Sequence, residues 1–167
     1  MVSLERSVVI SLFEQKLVLV ADGQRFCYSV STARNGPGQL INSGCTPLGR
    51  HFICKKIGAG LPANTVFVGR KETGEVYSDR LAMKNPQRDW ILTRIIWLSG
   101  LEDGLNKGNG VDTKSRFIYI HGSPDSTVLG KPGSAGCVRM HNEDVVDLFD
   151  RIEEGDCLLY TSDAADD

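Results

Sequence analysis

The chain has no Cys-x-x-Cys pair, no long apolar run and no excess of charge of either sign. Each absence closes a class of function. Its five cysteines lack the paired spacing of a structural zinc site or a thiol-redox motif. No stretch approaches the roughly 18 apolar residues of a membrane helix. Val8-Val9-Ile10 is too short for the apolar centre of a signal peptide, and Glu14, Gln15 and Lys16 follow at once. A formal charge of −2 leaves no basic footprint for nucleic acid. Aromatics make up only 7% of the residues, whereas eighteen glycines point to many turns. The 41% apolar and 24% charged fractions over 167 residues are those of one globular domain with a sizeable core.

The last eleven residues, Cys157 to Asp167, read as the in-frame translation of a sequencing-library transposon adaptor. The expected division is therefore a single domain over 1–156 and a non-native tail over 157–167, with a final strand begun after Gly155-Asp156 and cut short. Without the tail the balance is nineteen basic residues against eighteen acidic, so the acidic pI carries no meaning. Of the remaining cysteines, Cys27 and Cys54 suit strand positions as small buried apolar groups. A disulfide among Cys27, Cys45 and Cys54 stays open.

Pattern along the chain is mostly β. Val8–Phe13 and Lys16–Val20 are β-branched apolar runs. Asp22-Gly23 is a hairpin signal leading into Arg25–Ser31, where Phe26, Tyr28 and Val30 alternate with polar or small neighbours. Thr32–Gly49 is rich in Gly, Asn, Ser and Pro and reads as a long surface loop, of a length that is usually functional or mobile. His51–Ile57 and Thr65–Gly69 read as strands. Glu72-Thr73-Gly74 reads as a turn, with Glu75–Ser78 completing a hairpin. Trp90–Leu98 is apolar on both faces and rich in β-formers. Leu101–Ser115 is a polar loop, and Phe117–Ile120 is a short strand. One helix is expected, over Glu143–Glu154. Asn142 is its N-cap, Val145, Leu148, Phe149 and Ile152 are its buried stripe, and Gly155 is its C′ residue.

The chemistry concentrates at His121-Gly122 and at Ser134-Ala135-Gly136-Cys137-Val138-Arg139-Met140. Cysteine catalysis needs a thiolate, a base to take its proton and N–H groups to hold an oxyanion. A free thiol with a pKa of about 8.5 is a poor thiolate source at neutral pH. His121 ends a strand and is the candidate base. The small residues before Cys137 let the backbone turn sharply, so that Gly136 and Cys137 N–H groups can form the oxyanion hole. Arg139 can grip a carboxylate or pin the cysteine loop through an internal salt bridge. Tyr119 and Trp97 line a cleft or fill the core. His51 reads as an ordinary strand residue and His141 as a polar residue near the helix start.

The segment from His121 through Ser134-Ala-Gly-Cys-Val-Arg-Met140 resembles the signature of the L,D-transpeptidase (YkuD-type) catalytic domain of bacterial cell-wall enzymes. Ser29-Val-Ser-Thr-Ala33, Thr46-Pro-Leu-Gly49, Ile118-Tyr-Ile-His-Gly122 and the Asp144–Gly155 helix look like further landmarks of that family in its order. The resemblance implies a β-sandwich-like, mostly β fold with one α-helix in its C-terminal half. It implies that Cys137 is the nucleophile and His121 the base, with the Gly122 carbonyl orienting the imidazole. The candidate substrate contacts are Arg139, Ser134 and Tyr119. The implied partners are peptidoglycan stem peptides, with no metal, no cofactor, no nucleic acid and no membrane span. The implied location is the periplasm or cell envelope. The implied reaction is cysteine acyl transfer from a tetrapeptide stem to an acceptor amine. The alternatives are an L,D-carboxypeptidase, in which water replaces the amine, and a non-catalytic peptidoglycan-binding module. One departure stands out. The family commonly has a histidine directly before Gly-Cys, and this chain has Ala135.

Overall fold

The structure is a computed structural model and describes residues 6–163; residues 1–5 and 164–167, the end of the expected tail among them, lie outside the described residues. The elements in chain order are β1 (Arg6–Ser11), β2 (Lys16–Ala21), β3 (Gln24–Ser29), β4 (Gly49–Ile57), β5 (Thr65–Val68), β6 (Lys71–Val76), α1 (Asp79–Lys84), β7 (Ile91–Gly100), β8 (Tyr119–Gly122), β9 (Val138–Met140), α2 (Asn142–Arg151) and β10 (Cys157–Thr161). The mostly β expectation holds.

All ten strands form one curled sheet in the order β3-β2-β1-β10-β4-β7-β5-β6, with β8 on the other edge of β7 and β9 beside β8. The β2–β3 hairpin turns at Asp22 and Gly23, both with positive φ, as a two-residue turn requires. Most pairs are antiparallel. The exceptions are β1 with β10 and β8 with β9. The larger core joins Ile10, Leu17 and Leu19 of the first hairpin to Ile53, Ile96 and Leu98 of the central strands. Val145, Leu148, Phe149 and Ile152 of the α2 segment fill the same core. Burying such a stripe, at about 25 cal/mol per Å² of apolar surface, is what holds a ten-residue helix together.

Several boundaries differ from the sequence reading. Asn142 is the first helical residue, not the cap. His141 holds the cap position without a side-chain cap bond. Asn142 is drawn inward by other partners, described below. The helix ends at Arg151 with Ile152 as its C-cap, so Gly155 serves a later turn. The Glu72-Thr73-Gly74 step lies within β6, and the chain reverses one turn earlier, at Gly69 and Arg70, both with positive φ. Phe117 precedes β8 in the left-handed region, with φ 57°.

α1 and β9 have no counterpart in the sequence reading. Residues 157–161, which that reading sets aside, form β10 between β1 and β4, with Leu158 and Tyr160 buried. All five cysteines are free. Cys27 is exposed rather than buried, because β3 is an edge strand and this position faces outward.

Candidate active site

β8 and β9 run side by side in parallel, with Ile120 opposite Val138 and His121 opposite Arg139. Side chains alternate along a strand. Ile118, Ile120, Val138 and Met140 enter the larger core. Tyr119, His121, Cys137 and Arg139 therefore share the opposite face. There Tyr119 and Cys137 pack in a second, smaller apolar cluster with Phe67 and Ile95. This alternation puts the candidate nucleophile and the candidate base on one face of two neighbouring strands.

His121 is buried. Its Nδ1–H donates to the Gly122 carbonyl at 2.6 Å. A carbonyl can only accept, so the hydrogen sits on Nδ1 and the Nε2 lone pair is left to act as a base. Burial holds the imidazole below its usual pKa, against the opposite pull of the Gly122 bond. The Cys137 sulfur is half-buried. It accepts from the Tyr119 backbone N–H at 3.3 Å, and its own S–H donates to the Phe117 carbonyl at 3.3 Å. Burial pushes this thiol up to about 11, more than the Tyr119 N–H pulls it down. Both shifts favour a neutral thiol and a neutral imidazole over an ion pair.

The backbone on both sides of this pair is strained. Thr93 has φ 74°, an outlying value for a β-branched residue. The β7–β8 register shifts between Leu92 and Ile95, so Thr93 and Arg94 bulge across from the strand that carries His121. Three polar side chains hold the bulge. Thr93 Oγ1 donates to Asn142 Oδ1 at 2.6 Å and accepts from the Asn64 N–H at 3.0 Å. Asn142 Nδ2 donates to Asn64 Oδ1 at 2.9 Å. This network is what turns Asn142 away from capping α2. It also presses on Gly122, where an added Cβ would lie 2.7 Å from the Leu92 carbonyl oxygen and against Asn142 Oδ1.

The cysteine loop is fastened in three places. Gly136 has φ 135°, and a Cβ there would sit 3.2 Å from the Cys45 carbonyl oxygen. Its carbonyl accepts from Thr46 Oγ1 at 2.9 Å, which in turn accepts from the Ala33 N–H. The segment Ser31–Arg34 runs along the loop as a strap. Ser31 and Arg139 exchange two backbone bonds, Gly133 and Ser134 N–H groups donate to the Thr32 carbonyl, and Arg34 N–H donates to the Ser134 carbonyl at 2.8 Å. Arg116 ties down the loop behind, donating to the carbonyls of Gly38, Gln39 and Cys45 and to Ser43 Oγ.

Several expected roles change on this geometry. Ser134 lines the larger cleft and is also bonded within the loop. It is buried, accepts from Gly136 N–H at 3.1 Å and donates to the Cys137 carbonyl at 2.5 Å, so it clamps the loop. By the same bond Gly136 N–H is engaged and not presented to an incoming oxyanion. Tyr119 is core. Its ring is buried in the smaller cluster, and its hydroxyl accepts from Arg70 at 2.9 Å. Its backbone N–H is the part that reaches the sulfur.

Arg139 makes the internal contacts that the sequence allowed and also lines the larger cleft. It donates to the Gly133 carbonyl and to Asp89 Oδ1, each at 3.2 Å, while its side chain remains about a quarter exposed. His51, read as ordinary, is fully buried and bonded at both ring nitrogens. Sequence reasoning did not find the roles of Asn64, Thr93, Asn142, Asp89 and Arg116. The available signal was Thr46, in the Thr-Pro-Leu-Gly landmark.

Two clefts open beside the loop. One of about 600 Å³ is lined by Arg34, Arg88, Asp89, Ser134, Ala135 and Arg139, with Pro86 and Gln87 at its far wall. The other, about 470 Å³, runs past Ile41, Asn42, Arg116 and Phe117. Gly44 and Ala135 stand on the rim of both. Among the described residues no three His, Cys, Asp or Glu side chains converge as a metal site, and no helix is long and apolar enough to cross a membrane.

A cysteine on a braced small-residue loop beside a tautomer-fixed histidine on the adjoining strand is an arrangement that nucleophilic catalysis by cysteine can use. The family model of the L,D-transpeptidase catalytic domain matches residues 5–159, and the chain belongs to that family. A Bacillus subtilis (strain 168) protein described as "Putative L,D-transpeptidase YqjB" is 45% identical over 51 residues, covering 30% of this chain and 29% of that protein.

Among solved structures, the L,D-transpeptidase from Mycobacterium smegmatis matches with a TM-score of 0.59 at 13% identity, over 95% of this chain and 59% of that one. L,D-transpeptidase 3 from Mycobacterium tuberculosis, in complex with a faropenem-derived adduct, matches with a TM-score of 0.58 at 15% identity, over 95% and 60%. At these identities the likeness is one of fold. The chain spans less than a third of the curated relative and about three-fifths of the solved ones.

Proposed function

We propose that this domain is a peptidoglycan L,D-transpeptidase with Cys137 as nucleophile and His121 as general base. The observation that carries the reading is the shared face of β8 and β9. Cys137 and His121 project from it together, and the Gly122 carbonyl leaves Nε2 as the imidazole's proton acceptor.

The donor is a tetrapeptide stem. Cys137 Sγ attacks the amide carbonyl between the third residue, an L-centre, and the terminal D-alanine. As the S–C bond forms, the thiol proton passes to His121 Nε2. Because both groups favour their neutral forms, this transfer accompanies attack and does not precede it. The oxyanion is met by the Cys137 N–H. Gly136 N–H joins it when its bond to Ser134 Oγ opens.

The C–N bond then breaks, and the His121 proton leaves on the D-alanine amine. A thioester remains on Cys137. An acceptor amine on a second stem attacks it, gives its proton to His121 and forms the cross-link, and the sulfur takes the proton back. No step calls for a metal or an organic cofactor. The substrate places the domain in the periplasm or cell envelope. Faropenem, held as an adduct by the M. tuberculosis relative, is a test reagent for the same thiol here.

The experiment is mass spectrometry of a purified tetrapeptide muropeptide after incubation with the protein, with Cys137→Ala in parallel. The expected product is a dimer that has lost one D-alanine, absent with the variant. A shortened monomer alone would make water the acceptor and the domain a carboxypeptidase. Unchanged masses, together with no faropenem mass shift on Cys137, would leave only the binding-module reading.

A further inference from the structure

The 600 Å³ cleft beside the cysteine loop has an electrostatic asymmetry that the mechanism does not use. Three arginines line it, Arg34, Arg88 and Arg139, against one aspartate, Asp89. Two of the three cations are spoken for. Arg139 pairs with Asp89 at 3.2 Å, and Arg88 pairs with Glu75 at 2.6 Å. Arg34 has neither an ion pair nor a side-chain hydrogen bond among the described residues. Its side chain is exposed, yet its backbone is not loose. Arg34 N–H is bonded to the Ser134 carbonyl, and Ala33 pairs with Ser134 in a parallel bridge. The Arg34 backbone is therefore held in register with Ala135, two residues from the nucleophile, and its side chain lines the cleft from that fixed base. Ala135, whose side chain is a single methyl, lines the same cleft.

We infer that Arg34 is a specificity-determining residue that binds a free carboxylate of the donor stem in the cleft that Ala135 lines. The inference rests on the acyl-transfer reading for the identity of the peptide. The chemistry of the site is more general. A planar guanidinium with no protein partner, beside two others already neutralised, selects a planar anion and offers it two parallel N–H bonds. A tetrapeptide stem has two such groups, the terminal carboxylate of D-alanine and the side-chain carboxylate at its third residue. Arg139, tied to Asp89 and to the Gly133 carbonyl, forms the fixed back wall against which that anion sits.

The test is calorimetric binding to the Cys137→Ala protein, which cannot turn over, with and without Arg34→Ala or Arg34→Lys. Three synthetic tetrapeptides are used: both carboxylates free, the terminal one amidated, and the side-chain one amidated. The Arg34 background should bind the free acid about tenfold more tightly than one of the two amides. Arg34→Ala should erase that preference, and Arg34→Lys should keep part of it. Whichever amide loses affinity identifies the carboxylate.

An unchanged preference in Arg34→Ala overturns the inference, as does a failure of the free-acid tetrapeptide to bind at millimolar concentration. Arg34-dependent binding in a protein whose wild type transfers no acyl group would sink the transpeptidase reading and leave the subsite standing. With the active protein, loss of Arg34 should raise KM and leave kcat near its original value. A fall in kcat alone would mean that Arg34 braces the loop instead.

Discussion

Cys137 and His121 sit one strand apart, and burial shifts them in opposite senses, the thiol upward and the imidazole downward. Neither shift favours an ion pair at rest. A thiol held at about 11 exposes only a small thiolate fraction at neutral pH, and that fraction grows tenfold for each pH unit until the group titrates. Alkylation of Cys137 by iodoacetamide, followed peptide by peptide in a mass spectrometer, should therefore climb about tenfold per unit from pH 7 to 10. A flat rate between pH 5 and 8 would reveal a pre-formed thiolate–imidazolium pair and defeat the concerted proton transfer proposed above. The strained residues serve the same two side chains. Phe117, at φ 57°, presents the carbonyl that holds the thiol hydrogen, and Thr93, at φ 74°, anchors the polar network behind Gly122. Such conformations cost of order 1–3 kcal/mol each and persist only where their surroundings impose them.

The elements that sequence makes legible are those whose pattern is long enough to show a period. The α2 stripe and the Asp22-Gly23 hairpin are plain, and so is the double-faced apolarity of β7. α1 has six residues and buries none of them, so no amphipathic period exists to be read. β9 has three residues and is too short for alternation to register. The site divides in the same way. Cys137 and His121 stand out because their residue types and local setting carry the chemistry. Asn64, Thr93 and Asn142 converge from segments 29 and 49 residues apart, and no local pattern announces them. β10 shows a different limit. It fills a central position in the sheet, yet its Tyr160 hydroxyl is buried without a hydrogen-bond partner among the described residues. A polar group left so is destabilising by about 1–3 kcal/mol. Tyr160→Phe should then stabilise the protein, raising its melting temperature by about 2–4 °C for each kcal/mol recovered. A lower melting temperature would show that the hydroxyl is satisfied, by water or by nearby Arg116.

Across the whole molecule, acid finds a weakness outside the proposed catalytic pair. His51 of β4 is fully buried, with its ring edge-on to Tyr160 at 5.0 Å between centroids. Its Nδ1–H donates to the Gly49 carbonyl at 2.9 Å, so Nε2 is the nitrogen that accepts from Thr113 Oγ1 at 2.8 Å. That bonding fixes the neutral form, and burial lowers the pKa to about 4. In the unfolded chain the same group titrates near 6.5. Between these values the unfolded state binds the proton and the folded state does not, so stability falls as pH drops from about 6.5 to about 4. The span corresponds to about 3 kcal/mol from this one residue. His121 is shifted in the same direction and adds to the loss. Asp147 acts later. Its bond from the Tyr28 hydroxyl holds it below the usual carboxylate range, so its contribution disappears only at still lower pH. Urea unfolding at pH 7 and pH 4.5 should accordingly show a large loss of stability in the wild type. His51→Gln should start less stable at pH 7 but lose clearly less between the two pH values. An equal loss in both proteins would place the acid sensitivity elsewhere in the fold and remove His51 from the account.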